Sequence, residues 1–307
     1  MEWAGLLQYA LSLLSLAGIY AILSLGLNIQ WGFAGLFNAG IAGFFAIGAY
    51  TAAILTGPQS HYFLPFPLGL LSAAGLAALA AWPIGKICLR LKGDYLAMAS
   101  IGIAEIIRLA IKNEEWLTNG TKGLAGIPRP FEEWGLILGN SAFLILILMI
   151  LAGVYWLSHR LWQSPWGRSM RAIRDNEQAA AAIGKDVVTY RLEAFLIGAA
   201  CMGLGGALSV YYLRFIGLNA TEPLTTTFLV WVMLIIGGSG NNKGAVWGAF
   251  LIWIIWSATE LITNRLPPEW ITRSSYIRIL LIGLLLQIIL QRFARGLFPE
   301  RPPKQIG

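Results

Sequence analysis

Apolar residues fill long runs at about 4–27, 33–56, 66–87, 95–111, 141–158, 190–213, 223–240, 244–263 and 275–291, separated by short polar or Gly/Pro-containing breaks. A helix needs about 20 apolar residues to cross a bilayer, so each run is long enough, or nearly so, for one span. None of the runs alternates apolar with polar positions as barrel strands do, and an open strand in lipid leaves its backbone unpaired. The pattern therefore predicts an all-α fold, a polytopic transmembrane helical bundle of about nine spans. The break Asn28-Ile29-Gln30-Trp31-Gly32 reads either as a loop or as an interruption inside a discontinuous helix, which leaves eight or ten spans open. Gly40, Gly43 and Gly48 in the second run, and Gly198, Gly203, Gly205 and Gly206 in the sixth, are predicted to face other helices, because small residues let backbones approach closely. Two glycine-rich stretches, 32–48 and 237–248, echo each other faintly, either as a trace of an inverted repeat or as two helix crossings.

Composition sharpens this picture. Of the 307 residues, 57% are hydrophobic and 12% charged, against about 25% charged in an ordinary soluble domain. No Asp, Glu, Lys or Arg occurs between Trp3 and Gly85. Met1-Glu2-Trp3 has neither a basic region nor a small-residue cleavage site, so the first run is expected to be retained as a span. Cys88 and Cys201 lie in apolar surroundings without metal-like spacing and are expected to be free thiols.

A net charge of +7 would suit nucleic acid, but the basic residues collect in the breaks between spans, as the positive-inside rule requires. With the tail 292–307 (Arg292, Arg295, Arg301, Lys304) placed inside and nine spans alternating, Lys86, Arg90, Lys92, Lys243 and the block 160–190 with Arg191 fall inside as well. The segment 112–140, with Glu114, Glu115, Glu132 and Glu133, then lies outside. The whole of 1–307 reads as one transmembrane domain. His61 and His159 fall on opposite sides and share no metal site, and no His, Cys or carboxylate constellation suggests catalysis or metal binding.

The most informative polar stretch is Ser164-Pro165-Trp166-Gly167-Arg168-Ser169-Met170-Arg171-Ala172-Ile173-Arg174-Asp175-Asn176-Glu177-Gln178-Ala179-Ala180-Ala181-Ala182-Ile183-Gly184. Pro165 can open a helix, the alanines favour it and Gly184 can end it. Arg168, Arg171 and Arg174 recur every third residue and share a face. A short amphipathic cytoplasmic helix is predicted, lying on anionic lipid or docking into a soluble partner.

Here the sequence resembles the bacterial branched-chain (hydrophobic) amino-acid ABC permeases, and their LivM-type subunit in particular. Arg171 to Glu177, followed by Ala179-Ala180 and Gly184, looks like the family's coupling helix. Leu25 to Asn28, Gly32 to Gly40 and Phe44 to Thr51 resemble the second-span signature, and Leu91 to Arg108 the fourth-span region. Thr118 to Pro128 and Gly237 through Gly248 also match, so the likeness runs in order from about 15 to 290. Asn38 departs from the pattern, since many relatives carry a serine-like residue there.

The resemblance implies a subunit of a binding-protein-dependent importer. Its partners would be a second, LivH-type permease, two cytoplasmic ABC ATPases and an extracytoplasmic substrate-binding protein, in the inner membrane of a bacterium. Arg168, Arg171, Arg174, Glu177, Ala179, Ala180 and Gly184 would couple to the ATPases. The chain has no Gly-x-x-x-x-Gly-Lys-Ser/Thr loop, so ATP and Mg would belong to those partners and this chain would bind no cofactor.

Asn28, Asn38 and Glu105 are candidates to line the substrate path, because intramembrane polar groups usually face a cavity or each other. The alternative is interhelical hydrogen bonding for the two amides and an ion pair with Arg108 for Glu105. Competing functions are a permease for urea or short amides, a secondary transporter or channel, and an intramembrane enzyme. The absence of ionisable residues from the first three spans weighs against an ion-driven carrier.

Overall fold

A computed structural model describes residues 2–58, 63–91, 93–222, 224–263 and 280–300, apart from 282, 285, 289 and 294. His61, Lys92, Arg301, Lys304 and much of the predicted run 275–291 lie outside the described residues. The first helix, α1 (Glu2–Leu27), continues into a π-helical turn at Asn28–Phe33. The chain unwinds only after that, over residues 34–40, and α2 (Ile41–Thr56) follows. The interruption predicted at 28–32 therefore sits a turn later. Two backbone bonds close the π turn, Gly35 N to Trp31 O and Leu36 N to Gln30 O, both at 2.9 Å. π turns inside helices often mark functional sites.

Next come α3 (Phe66–Cys88), with Pro67 in its first turn and Pro83 inside it, and α4 (Asp94–Asn113). In α3 the buried positions Gly69, Ala73, Ala77, Ala81 and Gly85 fall every fourth residue, which makes a narrow small-residue stripe along one face. That stripe meets α9 (Val187–Leu213) along its length: a Cβ at Gly203 would touch Ala77, one at Gly69 would touch Tyr211, and one at Gly85 would touch Leu192 and Phe195. The other side of α9 closes on α2, where Gly48 abuts the Gly203 backbone and Gly206 abuts the Phe45 carbonyl. The glycines of the second and sixth runs thus sit at helix crossings, and α9 is the central mast between α2 and α3.

Between α4 and α6 (Leu136–Gln163) the chain forms α5 (Glu115–Thr118) and the two-residue strand β1 (Leu124–Ala125). β1 pairs antiparallel with β2 (Phe215–Ile216), just beyond the end of α9, with Leu124 opposite Ile216. α6 buries Phe143, Ile147, Leu151, Val154 and Ser158 on one face, a spacing that lays it against α1. Then come α7 (Pro165–Asp175), α8 (Glu177–Ala182), α9, a second π turn at Leu224–Phe228, α10 (Leu229–Gly237) and α11 (Asn242–Thr263). Trp3–Phe33, Phe66–Cys88, Leu136–Gln163 and Val187–Leu213 are long and apolar enough to cross a membrane, while Ile41–Thr56 and Thr226–Gly237 are shorter apolar helices.

The reversals sort the charges by end. Lys86 and Arg90 at the foot of α3, the α7–α8 segment, Lys243 at the start of α11 and the tail 295–300 share one end, which α7 joins to the tail through Arg174 and Glu300. Segment 114–135 packs at the opposite end, where Glu132 pairs with Arg214 at 2.6 Å.

Candidate functional site

The amides Asn28, Gln30 and Asn38 are fully buried, and all three are bonded, Gln30 and Asn38 to each other and Asn28 to the α10–α11 turn. Asn28 donates to Asn242 Oδ1 at 2.9 Å and accepts from Gly240 N at 2.8 Å, tying the end of α1 to the α10–α11 turn. Gln30 donates to Phe195 O on α9 and accepts from Asn38 Nδ2, both at 2.8 Å. Asn38 Oδ1 accepts from Gly40 N at 2.8 Å, and Asn38 O from Trp231 Nε1 at 3.1 Å. Ser100 Oγ accepts from Ala39 N at 2.9 Å and Thr227 Oγ1 from Ala42 N at 3.1 Å, so side chains of α4 and the second π turn hold the start of α2. Each bond satisfies a group that would be costly to leave bare in an apolar interior. Replacing Gln30 with leucine strands the Asn38 amide and removes the side-chain bond to the Phe195 carbonyl. The expected result is a loss of about 1–3 kcal/mol, read as a lower melting temperature of the purified protein.

Glu105 stands apart from these amides. Its carboxylate is held by Arg108 in a two-point bond, Nε at 2.9 Å and Nη2 at 2.6 Å, on a half-exposed face of α4.

The predicted amphipathic helix is two helices. Ser164 caps α7 through Gly167 N with Pro165 in the first turn, and Asn176, in an extended conformation, ends α7 and caps α8 through Ala179 N. Gly184, at φ +82°, closes α8 in a left-handed turn. Arg191 of α9 holds Glu177 at 3.2 Å, and Trp166 donates to Glu193 at 2.7 Å. Asp186 caps α9, and the Thr189 hydroxyl and amide hold its carboxyl below the ordinary range.

The arginines do not present one common face. Arg168 is exposed, but Arg171 is buried, stacked 3.9 Å from the Trp162 ring centre and bonded to Trp162 O at 3.1 Å. Burial lowers the Arg171 pKa. Arg174 reaches inward to the Gly32 carbonyl at the end of the π turn and pairs with Glu300 at 3.0 Å and Asp175 at 3.2 Å. Burial alone would lower its pKa, but the hydrogen bond and charge of Glu300, with Asp175, outweigh burial and raise it. The tail carrying Glu300 is tied down by Leu297 N to Ile236 O and Phe298 N to Gly237 O, both 2.9 Å. Arg168, Ala172, Gln178, Ala179, Ala181, Ala182 and Ile183 remain open, whereas Ala180 is buried.

The sequence match decides the family. A model for the branched-chain amino acid transport system permease component matches residues 9–290. The chain belongs to this permease family. It is 29% identical over 316 residues to the high-affinity branched-chain amino acid transport system permease protein LivM of Escherichia coli (strain K12), covering 94% of this chain and 70% of that one. It is 28% identical over 329 residues to a probable branched-chain amino acid transport permease protein LivM of Methanocaldococcus jannaschii, covering 93% and 92%. The autoinducer 2 import system permease protein LsrC of Shigella flexneri is 30% identical over 211 residues, 66% of this chain and 56% of that one. No solved structure matches the chain. With its apolar helices, the permease is a multi-pass membrane protein of the all-α class and LivM-like, and its relatives are transport subunits rather than enzymes.

Within the permease, Asn38 bonds to Gln30, an amide not among the sequence candidates, while Asn28 bonds separately to Asn242 and Gly240. Trp162 and Glu300 were also missed, because only the fold brings α6 and the tail to the α7 arginines. At the other end, Arg129 lies 4.5 Å from the Phe143 ring centre and 5.4 Å from that of Tyr212, and burial lowers its pKa.

Proposed function

We propose that this permease is the membrane-spanning subunit of a binding-protein-dependent ABC importer for amino acids, hydrophobic, branched-chain or neutral. On this reading it has about nine spans, lies in the inner membrane of a bacterium with α7, α8 and the tail in the cytoplasm, and pairs with a second, related permease. Two partner ATPases carry ATP and Mg, and an extracytoplasmic protein delivers the substrate. The observation that carries the reading is Arg174. From a helix at the basic end it grips the broken end of α1 at Gly32 and the tail at Glu300, so a pull on α7 passes straight to the interrupted span. Alternating access then follows from ATPases that close and open beneath α7–α8, with the open alanine face and Arg168 as their contact. Glu177, Arg171 and Gly184 hold that contact in shape, while Asn28 and Asn38 fix the walls of the path and Glu105 stands at its side.

The test is uptake by the complete assembly in sealed vesicles. ATP enclosed with the ATPases is expected to drive amino-acid accumulation that needs the binding protein. Accumulation without ATPases, or labelling of an Arg168→Cys variant from the binding-protein side, would end the proposal. The relatives named for autoinducer 2 make a wide substrate panel, with urea and short amides included, part of the same measurement.

A further inference from the structure

We infer that Phe37, backed by Trp231 and Trp31, is the surface on which the apolar side chain of the transported amino acid slides through the inner part of the path. This rests on the importer reading above. Three rings converge from three separate elements: Trp31 from the π turn, Phe37 from the unwound stretch and Trp231 from α10. Phe37 and Trp231 ring centres are 4.3 Å apart, Trp31 and Trp231 4.5 Å, and Trp31 and Phe37 6.3 Å. The Trp231 ring is fixed by its bond to Asn38 O, and Asn38 by Gln30 and Gly40. These bonds hold Trp231 in register with the unwound stretch, so the cluster forms a wall that moves as a unit rather than a loose aromatic flap.

Along the unwound stretch the chain alternates. Leu36, Asn38 and Gly40 are buried, while Gly35 is exposed, Ala39 half-exposed and the Phe37 side chain 39% exposed. The depth is what makes this exposure informative. Trp231 lies six positions before Gly237, the end of α10, and Ser100, which binds Ala39 N, six positions after Asp94, the start of α4. At 1.5 Å per residue both stand about 9 Å in from the basic end. Unwound backbone at such depth is not tolerated against lipid, and it occurs only where it lines an aqueous cavity or is covered by protein. Discontinuous helices are also where transporters build substrate sites.

The open strip Trp31, Gly35, Phe37, Ala39 carries no charged or amide side chain. It offers aromatic faces, which suit an apolar side chain and attract an ammonium group, and it lacks fixed charges that would trap a zwitterion. Such a wall favours passage over retention. The strip is also wired to the coupling end: Gly35, at φ +68°, packs against the Arg174 stem, where a Cβ would meet Arg174 Cγ at 3.1 Å. Phe37 is two residues further on, so movement of α7 displaces the ring.

The experiment uses the complete assembly in vesicles with a Phe37→Cys variant. Cys88 and Cys201 are buried, which keeps the background low. A small charged methanethiosulfonate reagent is expected to modify the thiol introduced at position 37, with transported leucine at about two to nine times its Kd slowing the reaction by about three- to tenfold, because an occupied path covers the thiol. In parallel, Phe37→Ala is expected to raise KM for leucine by a similar factor and to affect alanine less. Phe37→Leu, which keeps bulk, should fall between the two. Co-elution with the ATPases establishes that each variant is assembled. If the introduced thiol reacts in the isolated permease but not in the assembly, the strip is a seat for the second permease and the inference fails. It fails equally if leucine leaves the modification rate unchanged, or if leucine and alanine uptake change by one factor. Wild-type vesicles that show no ATP-driven uptake would instead defeat the importer reading itself.

Discussion

Replacing Arg174 with alanine is expected to leave the complex assembled and hydrolysing ATP while amino-acid uptake falls roughly 10- to 100-fold, the equivalent of about 1.5–3 kcal/mol for hydrogen bonds to a charged group. The guanidinium bridges three parts of the chain, the Gly32 carbonyl, Glu300 and its own helix at Asp175, and alanine removes all three links at once. Lysine is expected to restore little, since a single ammonium cannot reproduce the planar fork that serves Gly32 and Glu300 together. Glu300→Gln is expected to cost less than Arg174→Ala, because the bond to Gly32 survives. The pair of variants and their combination make a double-mutant cycle whose coupling reports the tail's share. Parallel loss of hydrolysis and uptake would mean that Arg174 holds the assembly together rather than transmitting motion. Unchanged uptake would remove Arg174 from the coupling argument.

A second large effect, on stability, is expected at the α2–α9 crossing. A methyl group on Gly206 would run into the carbonyl oxygen of Phe45, and one on Gly48 into that of Gly203. Both obstacles are backbone, so no side chain can swing aside and the helices must separate. Gly206→Ala and Gly48→Ala are each expected to cost about 1–3 kcal/mol, the range for overpacking, seen as a lower melting temperature and poorer yield in detergent. Gly75→Ala and Gly153→Ala are the controls. Among the described residues nothing lies near a Cβ at either position, and the change from glycine in a helix is worth about 0.5–1 kcal/mol in the opposite direction. A Gly206→Ala protein that melts with the wild type would refute the close-contact account of the crossing.

The helices were legible in the sequence wherever their cause was local. Apolar runs bounded by Gly and Pro mapped onto α1, α3, α6 and α9, and Ser164-Pro165 marked the start of α7. The break after α1 was displaced because a π turn keeps its residues helical through Phe33, and polarity at Asn28 and Gln30 reports buried hydrogen bonds rather than a chain end. The Asn176 division between α7 and α8 was hidden by the alanines that follow, which favour helix on both readings. The inward turn of Arg171 and Arg174 depends on Trp162 and Glu300, partners that no spacing rule within the segment can reveal.

The glycine contacts that join α2, α3 and α9 bear on how this subunit can change shape. Where backbones touch without intervening side chains, as Gly48 and Gly206 bring α2 onto α9, there are no rotamers with which to absorb a shift, so those two helices travel as a single block. Deformation is left to the parts joined by longer side chains and by the unwound stretch at 34–40, which becomes the seam along which the subunit opens.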